Sequence, residues 1–252
     1  MSATETSFRL DVSGRDIAVR AIAGRSPGVF WLGGFKSDMT GTKAERLAVL
    51  AAERGHGFVR FDYSGHGVSG GRFEDSTVSH WLEEAEAVFA RTEGEQVVVG
   101  SSMGGWLALL LARRLAARGE ARLKALVLIA PAADFTETLM WARFPREVRE
   151  QITIQGRYER PSAYSAEPYV ITRALIEDGR GHLILNAPFA VGCPVRILQG
   201  AQDEDVPWDH AMRLVTCLAE DDVVFSLIKD GDHRLSRPED LERLAAVVAE
   251  FL

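Results

Sequence analysis

The sequence predicts an α/β protein, a mostly parallel sheet flanked by helices, and three observations carry that prediction. Short β-branched runs alternate with longer amphipathic stretches, the pattern of strands joined by crossover helices. Residues 96–118 pass from Gln-Val-Val-Val through Gly-Ser-Ser-Met-Gly-Gly-Trp into an apolar stretch rich in leucine and alanine, a strand and a helix with only a glycine-flanked turn between them. At 252 residues the chain is expected to be a single domain, 1–252, with one continuous core.

The elements follow in order. Runs 8–12 and 17–22 read as an antiparallel opening pair around the turn Ser13-Gly14-Arg15-Asp16. A short buried strand is expected at 29–32, then the loop Gly33-Gly34-Phe35-Lys36-Ser37-Asp38, then a helix at 42–54 closed by Gly55. The next strand is 58–61, followed by a glycine-rich loop and a helix at 79–91 with Trp81, Leu82, Ala85 and Val88 at helical spacing. Strands at 97–99 and 126–129 bracket the serine turn and its helix. Alternation then weakens: 134–190 holds helix-like pieces at 136–142, 146–152 and 168–178 but no strand of the main sheet. It resumes with strands at 195–198 and 223–228 and helices near 208–218 and 238–252. An irregular insertion of that length in an α/β domain is expected to be a helical lid.

Composition narrows the class of protein. A hydrophobic fraction of 46% with 26% charged residues is ordinary for a soluble globule, and no apolar run reaches membrane-span length. A net charge of −7 offers no attraction to phosphate backbones or anionic lipid, so nucleic acid is not an expected partner. Met1–Leu10 has neither the apolar core of a signal peptide nor the arginine-rich character of a transit peptide, and a cytoplasmic location is expected. Cys193 and Cys217 lack metal-ligand spacing and sit among apolar neighbours, as buried structural thiols do.

Ser102 is the residue expected to do chemistry. A serine between strand and helix sits in strained backbone with its hydroxyl projecting from the sheet, and the flanking glycines avoid collisions there. The same Gly-x-Ser-x-Gly spelling recurs at Gly67-Val68-Ser69-Gly70-Gly71, without a strand directly before it or a helix directly after. Ser69 is therefore read as a turn serine in a flexible loop.

A serine hydroxyl becomes a nucleophile when an imidazole takes its proton and a carboxylate orients that imidazole. In this kind of fold the chain order is Ser, acid, His, with the acid after a late strand and the His after the last. Asp203 follows the strand at 195–198 and His233 follows the strand at 223–228. Asp205 remains the alternative acid if the loop is longer. Asp209 and His210 open a helix, Asp232 belongs to a turn, His56 reads as solvated loop, and His80 and His182 as surface or packing residues. His66 is expected at the pocket rim. Oxyanion donors are expected from the backbone N–H of Met103, at a helix N-terminus, and of Phe35, with Gly34 as the alternative. Leu139, Met140, Trp141 and Phe144 form an apolar stretch that either receives an acyl chain or packs the lid on the core.

Four phrases, Arg60-Phe-Asp-Tyr-Ser-Gly-His-Gly-Val-Ser69, Val98-Val-Gly-Ser-Ser-Met-Gly-Gly-Trp-Leu107, Asp203-Glu-Asp-Val-Pro-Trp208 and Gly231-Asp-His-Arg234, together resemble the α/β-hydrolase family. More narrowly, they resemble the branch of the mitochondrial palmitoyl-protein thioesterases that also cleave acyl glucuronides, including the lid phrase Pro161-Ser-Ala-Tyr164. The resemblance implies an α/β-hydrolase fold, a Ser102–His233–Asp203 triad, and hydrolysis of small-molecule esters or acyl thioesters without metal or cofactor. A bacterial-type relative is the expected kind. Two other readings stay open on the sequence: a non-catalytic binding protein on this fold, and the same fold running carbon–carbon bond cleavage or perhydrolysis.

Overall fold

The computed structural model describes residues 4–160 and 168–252. Its opening pair outruns the apolar pattern: β1 (Glu5–Val12) and β2 (Arg15–Ile22) are antiparallel, with Glu5 opposite Ile22 and Val12 opposite Arg15. Only Ser13 and Gly14 turn the corner, both at positive φ (53° and 81°), which matches the twist of the two strands.

The remaining strands of the sheet are β3 (Arg25–Leu32), β4 (His56–Phe61), β5 (Gln96–Ser101), β6 (Leu123–Ile129), β9 (Val195–Gly200) and β10 (Val223–Ile228). The eight strands lie in the order β1-β2-β4-β3-β5-β6-β9-β10, parallel from β4 onward. The central strands are buried on both faces, which is why they read as apolar runs rather than as alternation.

Their side chains still alternate between two cores. Val97, Val99, Val127 and Ile129 pack under α1 (Thr42–Arg54) and α7 (Pro238–Ala249). Phe30, Val98, Leu126 and Leu128 pack under α2 (Val78–Phe89), α3 (Met103–Ala117) and α6 (Trp208–Cys217). Gly55 closes α1 at φ 71°, as the sequence predicts, its N–H reaching the carbonyls of Ala51 and Ala52.

Position β3 matters most for the site. The chain leaves β3 toward β4 on one side and leaves β5 toward β6 on the other, so the two loops that follow β3 and β5 meet side by side at the carboxyl ends of the strands. Such a reversal point is where ligands bind in open α/β sheets.

Between β6 and β9 the structure differs from the sequence reading in two places. Residues 136–142 form a π-helical turn, Thr136–Met140, and a 3-10 turn, Trp141–Arg143, instead of one helix. Residues 168–178 are split: β8 (Tyr169–Thr172) pairs antiparallel with β7 (Arg157–Arg160), and α5 (Arg173–Arg180) begins only after it. Val170, Ile171 and Thr172 are β-branched and find a partner strand, and Thr172 then caps α5 by accepting the Leu175 N–H at 3.1 Å. Helix α4 (Arg146–Gln155) stands where 146–152 predicts one. The phrase Pro161-Ser-Ala-Tyr164 lies outside the described residues.

This insertion is tied down by buried and half-buried polar groups. The Asp134 carboxylate accepts the N–H groups of Ile184 (2.9 Å) and Leu185 (2.9 Å), clamping the insertion's beginning to its end. Burial raises the Asp134 carboxyl, and those two donated bonds oppose the rise. Asp178 accepts from the Ser79 amide (2.8 Å) and hydroxyl (2.6 Å) at the start of α2, and His182 Nε2 lies 2.7 Å from the same hydroxyl. Among the described residues, no helix is long and apolar enough to cross a membrane.

Candidate active site

The turn after β5 is built by close backbone approach. Ser102 stands at φ 55° and ψ −116°, a strained conformation for a residue with a side chain, and α3 begins at the next residue. A Cβ on Gly100 would lie 2.3 Å from the Gly104 carbonyl oxygen, and one on Gly104 would lie 2.1 Å from that of Leu32. Both contacts are with backbone, so neither neighbour can swing away. A Gly104→Ala variant is accordingly expected to lose at least about 3 kcal/mol, some 6–12 °C in melting temperature, together with activity. Thermal melting beside wild type checks this, and an unchanged Tm overturns it.

Two other loops meet Ser102. His233 Nε2 is 3.1 Å from Ser102 Oγ, although the residues are 131 positions apart. His233 Nδ1 is 2.8 Å from Asp203 Oδ2, so Nδ1 carries the proton and donates it while Nε2 is left as an acceptor. The acid is held in turn: the Val206 N–H donates to Asp203 Oδ1 at 2.8 Å and the Gln199 side-chain amide to Oδ2 at 3.1 Å. The Asp203 side chain is wholly buried and that of His233 is 19% exposed. Gly200 lets the acid and histidine loops touch, since a Cβ there would meet the Gly231 carbonyl oxygen at 2.4 Å. The sequence does not single out Gln199, which it places at the start of the loop after the strand at 195–198.

Asp205, the alternative acid, has a carboxylate oxygen within 4.8 Å of the His233 ring and the Asp203 carboxylate, but the 2.8 Å bond is made by Asp203. Asp232 does sit in a turn, accepting the Leu235 N–H at 3.0 Å. His210 makes its contact with the Ala133 carbonyl, 2.8 Å from Nε2. Cys193 and Cys217 are buried thiols, and burial pushes Cys193 up to about 12.

The loop after β3 supplies the opposite wall. A Cβ on Gly34 would lie 3.3 Å from the Ser101 carbonyl oxygen and 3.5 Å from Ser102 Cβ, so this backbone passes directly against the serine. Ser37 braces the loop through its N–H (3.2 Å) and hydroxyl (2.7 Å) to the Gly34 carbonyl. The Phe35 ring is surrounded edge-on by Phe73, Trp81, Phe135 and Tyr169 at centroid distances of 4.9–6.0 Å. Met103 N–H heads α3, where first-turn amides have no intrahelical acceptor.

Three expectations are corrected here. His56 is not in solvated loop: it lies in β4 and is 3% exposed, with Nδ1 2.7 Å from the Pro27 carbonyl and Nε2 accepting from Arg25 Nε at 3.1 Å. His66 is not at a pocket rim but buried beneath the β3 loop, with Nε2 accepting the Lys36 N–H at 3.1 Å. Ser69 is not in a loose loop: its hydroxyl donates to the Asp62 carbonyl at 2.6 Å and accepts the Ala18 N–H at 2.8 Å. A Ser69→Ala variant should therefore lose about 1–3 kcal/mol of stability, yet keep kcat within about twofold because the hydroxyl has no part in the Ser102 row; a kcat collapse at full stability overturns this.

The apolar stretch of the insertion divides. Met140 and Phe144 are buried in the main core, and Phe144 meets the Tyr158 ring at 5.8 Å. Leu139 and Trp141 are partly buried against it, Trp141 between the guanidinium groups of Arg149 and Arg180. Arg143 reaches the Asp205 carbonyl at 3.3 Å, which brings this turn to the acid loop. The hollows near β1 (bordered by Phe8, Val19 and Val68) and between α2 and the end of α3 (bordered by Phe89, Leu115 and Arg122) do not touch Ser102, His233 or Asp203.

The alpha/beta hydrolase family matches residues 26–247 of the chain. The mitochondrial palmitoyl-protein thioesterase ABHD10 of Mus musculus is 36% identical over 239 residues, which cover 94% of this chain and 79% of that protein. A putative hydrolase from Agrobacterium vitis S4, solved by crystallography, superposes with a TM-score of 0.93 at 46% identity, covering 99% of this chain and 98% of that one. Alpha/beta hydrolase domain-containing protein 10 from mouse superposes with a TM-score of 0.87 at 33% identity, with 97% of each chain covered.

Proposed function

The chain belongs to the alpha/beta hydrolase family, and from that premise we propose that it is a serine hydrolase cleaving carboxylic esters or acyl thioesters through an acyl-enzyme on Ser102. The observation that carries this is the unbroken row Ser102 Oγ, His233 Nε2, His233 Nδ1 and Asp203 Oδ2, at 3.1 Å and 2.8 Å, at the strained turn after β5. Ser102 Oγ attacks the acyl carbon while its proton passes to His233 Nε2, and Asp203 stabilises the imidazolium that results. The oxyanion takes hydrogen bonds from the Met103 and Phe35 amides, with Gly34 as the alternative donor. As the tetrahedral intermediate collapses, the carbon–heteroatom bond breaks and His233 gives its proton to the departing alcohol or thiol. Water then attacks the acyl-enzyme, its proton going to His233, and Ser102 leaves with that proton as the carboxylic acid is released.

The insertion serves in this reading as the lid over the site. Leu139 and Trp141 face the acyl group, with Met140 and Phe144 behind them as the buried support. Relatives named palmitoyl-protein thioesterase favour including thioesters beside oxygen esters.

The test is a panel of p-nitrophenyl esters and acyl thioesters of graded chain length, run beside labelling by a fluorophosphonate probe. Turnover of at least one acyl series, with the probe bound at Ser102, is expected. A folded wild-type protein that hydrolyses none of them and takes no probe overturns the proposal in favour of a binding role.

A further inference from the structure

Parallel neighbours β3 and β4 each end in a loop beside the serine, and one side chain links the two loops. His66, in the loop after β4 (His56–Phe61), is 4% exposed and sits under the β3 loop. Its Nε2 accepts the Lys36 N–H at 3.1 Å, and its Nδ1 lies 3.1 Å from the Ser64 carbonyl. A carbonyl only accepts, so the proton belongs on Nδ1 and Nε2 presents a lone pair. The ring cannot turn away, being packed edge-on by Trp81 at 5.4 Å, Phe73 at 5.2 Å and Tyr63 at 5.6 Å.

What the ring holds is strained. Lys36 is at φ 59°, a left-handed conformation that costs a residue with a side chain energy and needs outside support. Its amide is the next peptide along from Phe35, the amide assigned to the oxyanion. The Lys36 ammonium lies 4.2 Å over the Phe73 ring, and Glu84 accepts the Ser64 N–H at 2.9 Å. Burial together with the Lys36 charge pushes the His66 imidazole down to about 4, so it stays neutral, with its acceptor intact, near pH 7.

We propose that His66 is a positioning residue for acyl transfer: its Nε2 lone pair fixes the Phe35–Lys36 peptide and so keeps the Phe35 N–H aimed at the oxyanion. The inference rests on the Ser102 mechanism above and adds a requirement that the triad alone does not carry. A histidine suits the task because a neutral imidazole joins two loops with one donor and one acceptor on a rigid ring. Protonated, the ring would set an N–H against the Lys36 N–H and push the loop off.

Three forms of the full chain test it: wild type, His66→Phe, which fills the space without an acceptor, and His66→Gln, whose amide oxygen reaches toward the Nε2 position. His66→Phe is expected to lower kcat about 10–100-fold with KM within about twofold, part of the loss known for deleting an oxyanion donor. A trifluoromethyl ketone inhibitor, which forms the oxyanion on Ser102, should lose affinity in proportion to kcat/KM. His66→Gln should recover to within about fivefold of wild type.

Unchanged kcat in His66→Phe, a loss confined to KM, or a His66→Gln variant as impaired as His66→Phe overturns the proposal. Nitrogen NMR of the wild-type ring at pH 7 gives a readout that needs no variant to fold: an unprotonated Nε2 is expected, and an Nε2–H tautomer overturns it. A wild-type protein that turns over no acyl substrate removes the triad reading and this one with it. Wild-type turnover beside an unimpaired His66→Phe removes this one alone.

Discussion

Replacing Ser102 by alanine is expected to lower kcat by at least about 10⁴-fold while leaving the fold intact. The hydroxyl is the only atom removed, and among the described residues its hydrogen bond is to His233 Nε2 at 3.1 Å. The backbone contacts that build the turn survive: the Ser102 N–H still donates to the Ile129 carbonyl at 2.8 Å, and the Gly105 and Ala132 amides still reach the Ser102 carbonyl. Alanine also carries a Cβ, so the positive φ is no worse tolerated than before. Kinetics on the best acyl substrate, with a melting curve as control, decide the matter. Full turnover in a well-folded Ser102→Ala variant would refute the acyl-enzyme.

Asp203→Asn should lose about as much, near 10⁴-fold in kcat, for a different reason. Among the described residues, three hydrogen-bond partners of this carboxylate are donors: Val206 N–H, the Gln199 amide and His233 Nδ1–H. An asparagine brings an NH₂ group into that set, and whichever way it turns, one donor faces another. The cheapest relief is for His233 to move its proton to Nε2, so that Nδ1 accepts from the new amide. Nε2 then has no lone pair for the Ser102 proton, and the base is lost while the packing survives. Asp205→Asn serves as the control, expected within about tenfold of wild type because the 2.8 Å bond to the ring comes from Asp203. If Asp203→Asn stays active and Asp205→Asn does not, the roles of the two acids are exchanged.

Both variants probe a row whose members the sequence names one at a time. Ser102 is legible because its signal is local: apolar strand, glycine, serine, glycine and helix occupy consecutive positions, and each type has a steric reason to be there. Asp203 and His233 are legible only as the residues after the right strands, since chain order in this fold narrows the candidates. Ser69 shows the limit of spelling. It shares the five-residue pattern, yet its hydroxyl is spent on Asp62 and Ala18.

Histidines were the hardest to read. His56 and His66 lie in glycine-flanked phrases that read as a solvated loop and a pocket rim, but both are buried with both ring nitrogens near polar partners. A glycine beside a histidine marks a turn equally well when that turn packs under another loop. In the insertion the pattern misled over 168–178, because four residues are too few for a period of two to be told from a period of 3.6, and only the partner strand Arg157–Arg160 decides the matter.

The sequence by itself determined the alternation of strands and helices, the two-sided burial of the central strands and the steric design of the serine turn, because each of these is set by residues within a few positions of one another. Tertiary structure alone decided which carboxylate meets the imidazole, that Gln199 and Val206 hold it, that Asp134 and Asp178 tie the insertion down, and that His66 braces the loop from β3. Those contacts join residues up to 99 positions apart, and no local pattern encodes a pairing that arises only when separate loops are carried to one edge of a single sheet.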